Sequence, residues 1–145
     1  MMIRNKRAKF DYHILETYVA GIQLESSEVK SIRNNEASLN GSFCYFKTAT
    51  ELYVKDIYIK EFKNTPYNNH EEKRDRKLLL TKKELRNIRQ NVDKKGVSII
   101  PISLFINEKN LIKINIAIGV GKKLWDKRQS LKDKDHRKEI KNYLK

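Results

Sequence analysis

Val97-Ser98-Ile99-Ile100-Pro101-Ile102-Ser103-Leu104-Phe105-Ile106, followed by Asn107-Glu108-Lys109-Asn110 and then Leu111-Ile112-Lys113-Ile114-Asn115-Ile116-Ala117-Ile118, is the stretch that decides the fold. Gly96 restarts an extended run, the polar quartet turns it back, and the return arm alternates Lys113 and Asn115 with Ile112, Ile114 and Ile116. A period of two with one apolar face is a strand packed on a core. Working downstream, Gly119-Val120-Gly121-Lys122 lacks the spacing of a nucleotide-binding loop and reads as a flexible exit. Beyond it, residues 122–145 hold ten Lys or Arg against four Asp or Glu, with few apolar residues. Such a segment buries too little apolar surface to offset its ordering entropy, so it is expected to be a tail, disordered or helical on binding, that orders on a polyanion, with a solvated terminal helix or frayed end as the alternative.

Working upstream, Thr81-Lys82-Lys83-Glu84 is a capping box, and Leu85, Ile88 and Val92 share one face of a helix predicted from about Lys82 to Val92. Glu61 to Asp75, with Pro66 and His70, reads as a long loop. Asn40-Gly41 is a turn signal, and Phe43 to Phe46 with Leu52 to Ile59 reads as a hairpin whose second strand has no cleanly apolar face. Ser26 or Ser27 is expected to cap a short helix in which Val29 and Ile32 share one face and Lys30 and Arg33 another. Tyr18 to Leu24 reads as a strand, and residues 1–9 as a basic arm. Short strands with small helices between them predict a mainly β fold: a small antiparallel, oligonucleotide-binding-like barrel with two or three flanking short helices and a basic C-terminal tail. The expected division is a barrel domain over 1–121 and a tail over 122–145.

Net charge is +14 over 145 residues, from 32 Lys and Arg against 18 Asp and Glu. That imbalance predicts a polyanionic partner, with nucleic acid favoured over a membrane because no stretch approaches the ~20 apolar residues of a spanning helix. The opening residues lack the apolar core of a secretory signal. The one cysteine, Cys44, excludes an internal disulfide and a four-Cys zinc site, so a cytosolic location is expected. No metal or cofactor is expected. The three histidines, His13, His70 and His136, are scattered singly, and no zinc-protease, phosphate-loop or nucleophile-elbow pattern occurs. His70-Glu71 and His136 leave a nuclease as a competing reading, and a general single-strand-binding or ribosomal barrel protein is a third. The basic clusters carry more: Arg4 to Lys9 with Lys6 and Arg7, Lys30 with Arg33, Lys73 to Lys77 with Arg74 and Arg76, then Lys122-Lys123 and Lys127-Arg128 onward. Interspersed tyrosines and phenylalanines make a distributed RNA surface of phosphate contacts and stacked bases the expected use. Trp125, the only tryptophan, lies outside the expected core among basic groups, and reads either as a base-stacking ring or as a lid folded back on the barrel.

Several segments together resemble the small protein B family, the partner of transfer-messenger RNA in ribosome rescue. They are Asn5-Lys6-Arg7-Ala8 with Asp11-Tyr12, Ala20-Gly21-Ile22-Gln23-Leu24, Glu28-Val29-Lys30-Ser31-Ile32-Arg33, Asn69-His70-Glu71, Arg74-Asp75-Arg76-Lys77-Leu78-Leu79-Leu80, and Gly121-Lys122-Lys123 with Asp126-Lys127-Arg128, in the family's order. The resemblance implies a non-enzymatic protein whose barrel binds the tRNA-like part of that RNA and whose tail enters the empty decoding centre and mRNA path. It implies phosphate contacts by Lys6, Arg7, Lys30, Arg33, Arg74, Arg76, Lys77, Lys113, Lys122 and Lys123. It also implies ribosome contacts by Trp125, Asp126, Lys127, Arg128, Lys132, Lys134, Arg137 and Lys138. The implied partners are transfer-messenger RNA, the stalled ribosome with its small-subunit RNA and, indirectly, elongation factor Tu, but neither DNA nor membrane. Three positions depart from the family pattern: Val19 replaces an acidic residue, Ser27 a tryptophan and Trp125 a histidine.

Overall fold

The two long strands come out as β8 (Val97–Ile106) and β9 (Ile112–Gly121), paired antiparallel from Val97↔Val120 to Ile106↔Ile112. Asn107 and Asn110 build the turn. The Asn107 carboxamide oxygen accepts from Lys109 and Leu111 N–H at 3.1 and 2.9 Å, and Asn110 takes the left-handed φ of 64°. Pro101 interrupts β8 without breaking it: its carbonyl accepts from the Asn5 carboxamide, and the register with β9 shifts between Pro101 and Ser103.

This computed structural model describes residues 2–62 and 69–123. In chain order the remaining elements are β1 (Met2–Arg4), α1 (Ala8–Asp11), β2 (Tyr12–Ile22), α2 (Ser26–Arg33), β3 (Ala37–Ser38), β4 (Phe43–Thr48), β5 (Glu51–Lys55), β6 (Tyr58–Ile59), β7 (Arg76–Leu79) and α3 (Lys82–Val92). The strand order β8-β4-β5-β7-β2-β9 closes on itself through β8–β9 pairing, giving an antiparallel barrel with β1 added outside β8. Closure removes the sheet edges that would otherwise invite pairing with another chain. The closure is uneven: β8 and β9 pair along their length, whereas β4 and β8 share the single residue pair Cys44↔Ile99.

The core is aliphatic. Ile114, Ile116 and Ile118 of β9 point inward against Leu52, Val54, Leu78, Ile99 and Leu104, each at most 2% exposed. Each such side chain contributes about 1.5–3 kcal/mol by leaving water. α3 has the predicted bounds and cap, with Ile88 buried and Leu85 and Val92 packed beside it.

Five readings are corrected. The basic arm is part of the fold: Ile3 pairs with Leu104, Asn5 donates to the Ile102 and Pro101 carbonyls, and Ala8 packs on Ile100 and Ala117. β2 starts at Tyr12 instead of Tyr18, and β9 runs to Gly121, so Gly119 is strand and no flexible exit. A Cβ at Gly119 would come within 3.2 Å of the Tyr12 Cβ. The N-cap of α2 is Glu25, with Ser26 and Ser27 inside the first turn. Finally, Leu52 to Ile59 is two strands, because Asp56 takes φ 65°. That kink slips the phase by one residue, so Leu52 and Val54 face inward before it and Ile57 and Ile59 after it. The absence of a clean alternation in the sequence is this slip.

Candidate nucleic-acid interface

α2 is held on the barrel by charge as well as by Ile32. Glu28, at the third helical position, accepts the Glu25 N–H at 2.8 Å. Its two oxygens also bind Arg74, at 2.5 Å, and the Nε of Arg76. Glu28 and Arg76 side chains are fully buried. The Arg76 guanidinium completes its contacts on the Ile57, Glu71 and Glu72 carbonyls. Burial pushes the Glu28 carboxyl up, but the Glu25 N–H and the two guanidinium groups outweigh it and hold the carboxyl below its ordinary range. Burial is also the largest influence on Arg76, lowering its pKa against the opposing pull of Glu28.

Next to this cluster, His70 bridges α2 to β6. Its Nε2–H donates to the Ile59 carbonyl at 2.8 Å, which leaves Nδ1 to accept the Ser27 hydroxyl at 2.8 Å. His70 is 3% exposed. Asn69 closes the neighbouring loop by bonding both ways with the Phe62 backbone, at 3.0 and 3.1 Å. The Asn69-His70-Glu71 motif is therefore a fastening, and His70, one of the two histidines behind the nuclease reading, has both ring nitrogens committed to the core. Among the described residues no group of three His, Cys, Asp or Glu could hold a metal ion.

What this scaffold presents outward is basic. Lys30 and Arg33 lie in the last turn of α2, where the helix dipole favours cations. Lys30 stands over the Phe62 ring at 5.3 Å. Arg33 donates to the Asn110 carbonyl at 3.1 Å, which sets it beside the start of β9. There Lys113, half-buried, shares with Arg33 a groove of about 320 Å3 whose walls include Gly21, Leu24, Val29, Leu79 and Leu111. Leu79 and Leu111 are about half exposed, so the groove offers apolar surface between two cations. A side chain at Gly21 would meet the Leu79 Cβ at 3.1 Å, so the glycine is there for close strand packing. Val19 lies on the same outer face of β2, 55% exposed, opposite Asn115.

The predicted contacts divide accordingly. Arg33 and Lys113 line one groove, and Lys30 lies three residues before Arg33 on α2, over the Phe62 ring. Lys6 and Arg7 are exposed beside α1, which covers the outer face of β9 at Ala117, some 13 Å along the strand from Lys113 at ~3.3 Å per residue. Arg7 also faces Asp11 at 3.8 Å. Lys122 and Lys123 are exposed just past the end of β9. Lys77 is half-exposed on β7, tied to Glu51 at 3.5 Å, and does not line the groove. Arg74 keeps 30% of its side chain exposed but is committed to Glu28. Arg76 is corrected outright: buried and saturated by internal acceptors, it is a core cation with no phosphate-binding role. Trp125, Asp126, Lys127, Arg128, Lys132, Lys134, Arg137, Lys138 and His136 lie outside the described residues. Sequence reasoning gave Asn110 a role only in the turn and assigned none to Glu28. The signal for Glu28 was present as an acid three residues after Glu25 at a helix start.

Comparison with known proteins gives a consistent result. Residues 2–145 match the family described as "SmpB protein". The chain is 52% identical over 140 residues to the "SsrA-binding protein" of Parabacteroides distasonis, covering 97% of this chain and 91% of that one. It is 51% identical over 138 residues to the protein of the same name from Phocaeicola vulgatus, covering 95% and 91%. A solved structure described as "tmRNA-SmpB: a journey to the center of the bacterial ribosome" superposes with a TM-score of 0.70, at 40% identity and 83% coverage of both chains.

Proposed function

This chain belongs to the SmpB protein family, and from that premise we propose that it binds the tRNA-like domain of transfer-messenger RNA and delivers it to stalled ribosomes for trans-translation. The observation that carries the reading to particular residues is the meeting of Arg33 and Lys113 at one groove, with Lys30 three residues before Arg33 on α2. Phosphates on these cations would fix the register of the RNA, and the apolar floor of Leu79 and Leu111 would receive a sugar or base. Lys6 and Arg7 extend the footprint along the outer face of β9, and Lys122 and Lys123 lead it into the tail.

The mechanism is mimicry without bond chemistry by the protein. The barrel and the RNA stand in for a tRNA, and residues 122–145 replace the missing codon pairing. In this reading Trp125, Asp126, Lys127 and Arg128 probe the empty decoding centre, and Lys132, Lys134, Arg137 and Lys138 follow the mRNA path along small-subunit ribosomal RNA. Elongation factor Tu would engage through the RNA, and the site of action is the cytoplasm. Among the described residues no helix is long and apolar enough to cross a membrane.

The test is competition binding with the full chain at a stated salt concentration, using a tRNA-like fragment of transfer-messenger RNA against equal masses of tRNA and unstructured RNA. Strong preference for the fragment supports the reading. Equal, salt-sensitive binding to all three would reduce the interaction to charge alone.

A further inference from the structure

β4 and β5 turn a row of rings away from the core. Cys44, Leu52 and Val54 are buried, so by strand alternation Phe43, Tyr45 and Tyr53 occupy the outer face. The Phe43 and Tyr45 ring centroids are 6.5 Å apart, and those of Tyr45 and Tyr53 6.2 Å apart. Phe43 is 42% exposed, because β4 meets β8 at only one residue pair and a cleft of about 1040 Å3 opens beside it. Tyr45 is fixed by donating its hydroxyl to Asp75 at 2.5 Å; that bond pushes the phenol up to about 12, so the ring stays neutral and oriented.

Cations flank the row. Lys47 stands over Tyr53 at 4.9 Å, and Lys55 is exposed directly across from Phe43 in the strand register. Of the carboxylates of this face, Glu51 is paired with Lys77, while Asp75 keeps its charge on the neutral Tyr45 hydroxyl, so Lys47 and Lys55 outnumber the one remaining carboxylate. Neither Phe43 nor Tyr45 nor Tyr53 belongs to the apolar core. An exposed, pre-ordered ring beside lysines on an antiparallel sheet fits the flat face of an unpaired base and its flanking phosphates.

We propose that the outer face of β4 and β5 is a second RNA contact, a stacking platform for one or two unpaired nucleotides, with the base on Phe43 and the phosphates on Lys47 and Lys55. It is separate from the groove between α2 and β9 and does not rest on the family reading. Its ligand class is single-stranded RNA, read by stacking and without base-edge specificity.

The experiment measures binding of a labelled, unstructured RNA oligonucleotide and of an RNA duplex of equal length to the full chain. Phe43→Leu keeps an apolar side chain on the strand while removing the π face, and thermal unfolding confirms that the fold is intact. Oligonucleotide affinity is expected to fall about fivefold or more with an unchanged salt slope, while duplex binding holds. Phe43→Tyr, which retains a ring, should bind the oligonucleotide as the native chain does. Lys47→Ala with Lys55→Ala should flatten the salt slope by about one to two units. Native-like oligonucleotide binding by Phe43→Leu, or equal losses on oligonucleotide and duplex, would overturn the proposal. Binding of a tRNA-like fragment reads the α2 groove in the same variants and is expected not to change, so failure of one site is distinguishable from failure of the other.

Discussion

α2 and α3 are both short helices on the barrel surface, and both carry a glutamate three residues after the N-cap, yet the two glutamates are put to different uses. Glu84 stays at the surface and accepts the Thr81 N–H at 3.1 Å and hydroxyl at 2.9 Å, closing its own helix start. Glu28 accepts the Glu25 N–H in the same way but is buried, and binds two arginines from the chain around β7. One cap finishes a helix; the other locks a helix to the barrel. The difference teaches that a local motif fixes where a helix begins, while burial decides whether the motif also positions what the helix carries, here Lys30 and Arg33.

The sharpest way to break the contrast is Glu28→Gln. It leaves Arg76 as a buried cation without its counter-ion, a loss of about 3–5 kcal/mol, whereas Glu84→Gln should cost under ~1 kcal/mol. Urea denaturation of the two variants checks this, and similar midpoints would erase the distinction. Second, acid should act through Glu28. Its carboxyl is lowered in the folded state, so its contribution is complete above the ordinary carboxylate pKa of about 4.3 and is lost as pH falls through the lower native value. Stability curves below about pH 4.5 should be flatter in Glu28→Gln than in the native chain. Third, Thr81→Ala removes the α3 cap and should cost about 1 kcal/mol without changing RNA affinity. Smallest in stability are Lys30→Ala and Arg33→Ala, each within about 0.5 kcal/mol of native. Each should still lower the salt slope for RNA binding by about one unit, where Arg86→Ala on α3 leaves it alone.

The same contrast explains what could be read from the sequence. α3 was legible to its ends because its cap and its apolar spacing lie within a dozen consecutive residues. The β8–β9 hairpin was legible because alternation and an asparagine turn are likewise local. The added strand β1 was not, since Ile3 finds its partner at Leu104 and a three-residue strand has no period to display. Asp56 hid the inward face of β5 and β6 by shifting the alternation within one apolar run. Arg76 sat in a basic cluster and read as a phosphate contact, because its counter-ion lies 48 residues away in sequence. Of the candidate site, Lys30 and Arg33 were legible as one helix face, whereas the meeting of Arg33 with Lys113 depends on the Asn110 turn docking against α2.

Cys44 sits at the one residue pair that joins β4 to β8, where burial raises its thiol well above the usual value. A thiol there is silent toward alkylating reagents for as long as the seam stays shut, since only the exposed thiolate reacts. Its labelling rate is therefore a clock for barrel opening, built into the chain without an added probe. At low reagent concentration the rate reports the free energy of opening, and at saturating reagent the opening rate itself. RNA that clamps the barrel from outside should slow that clock.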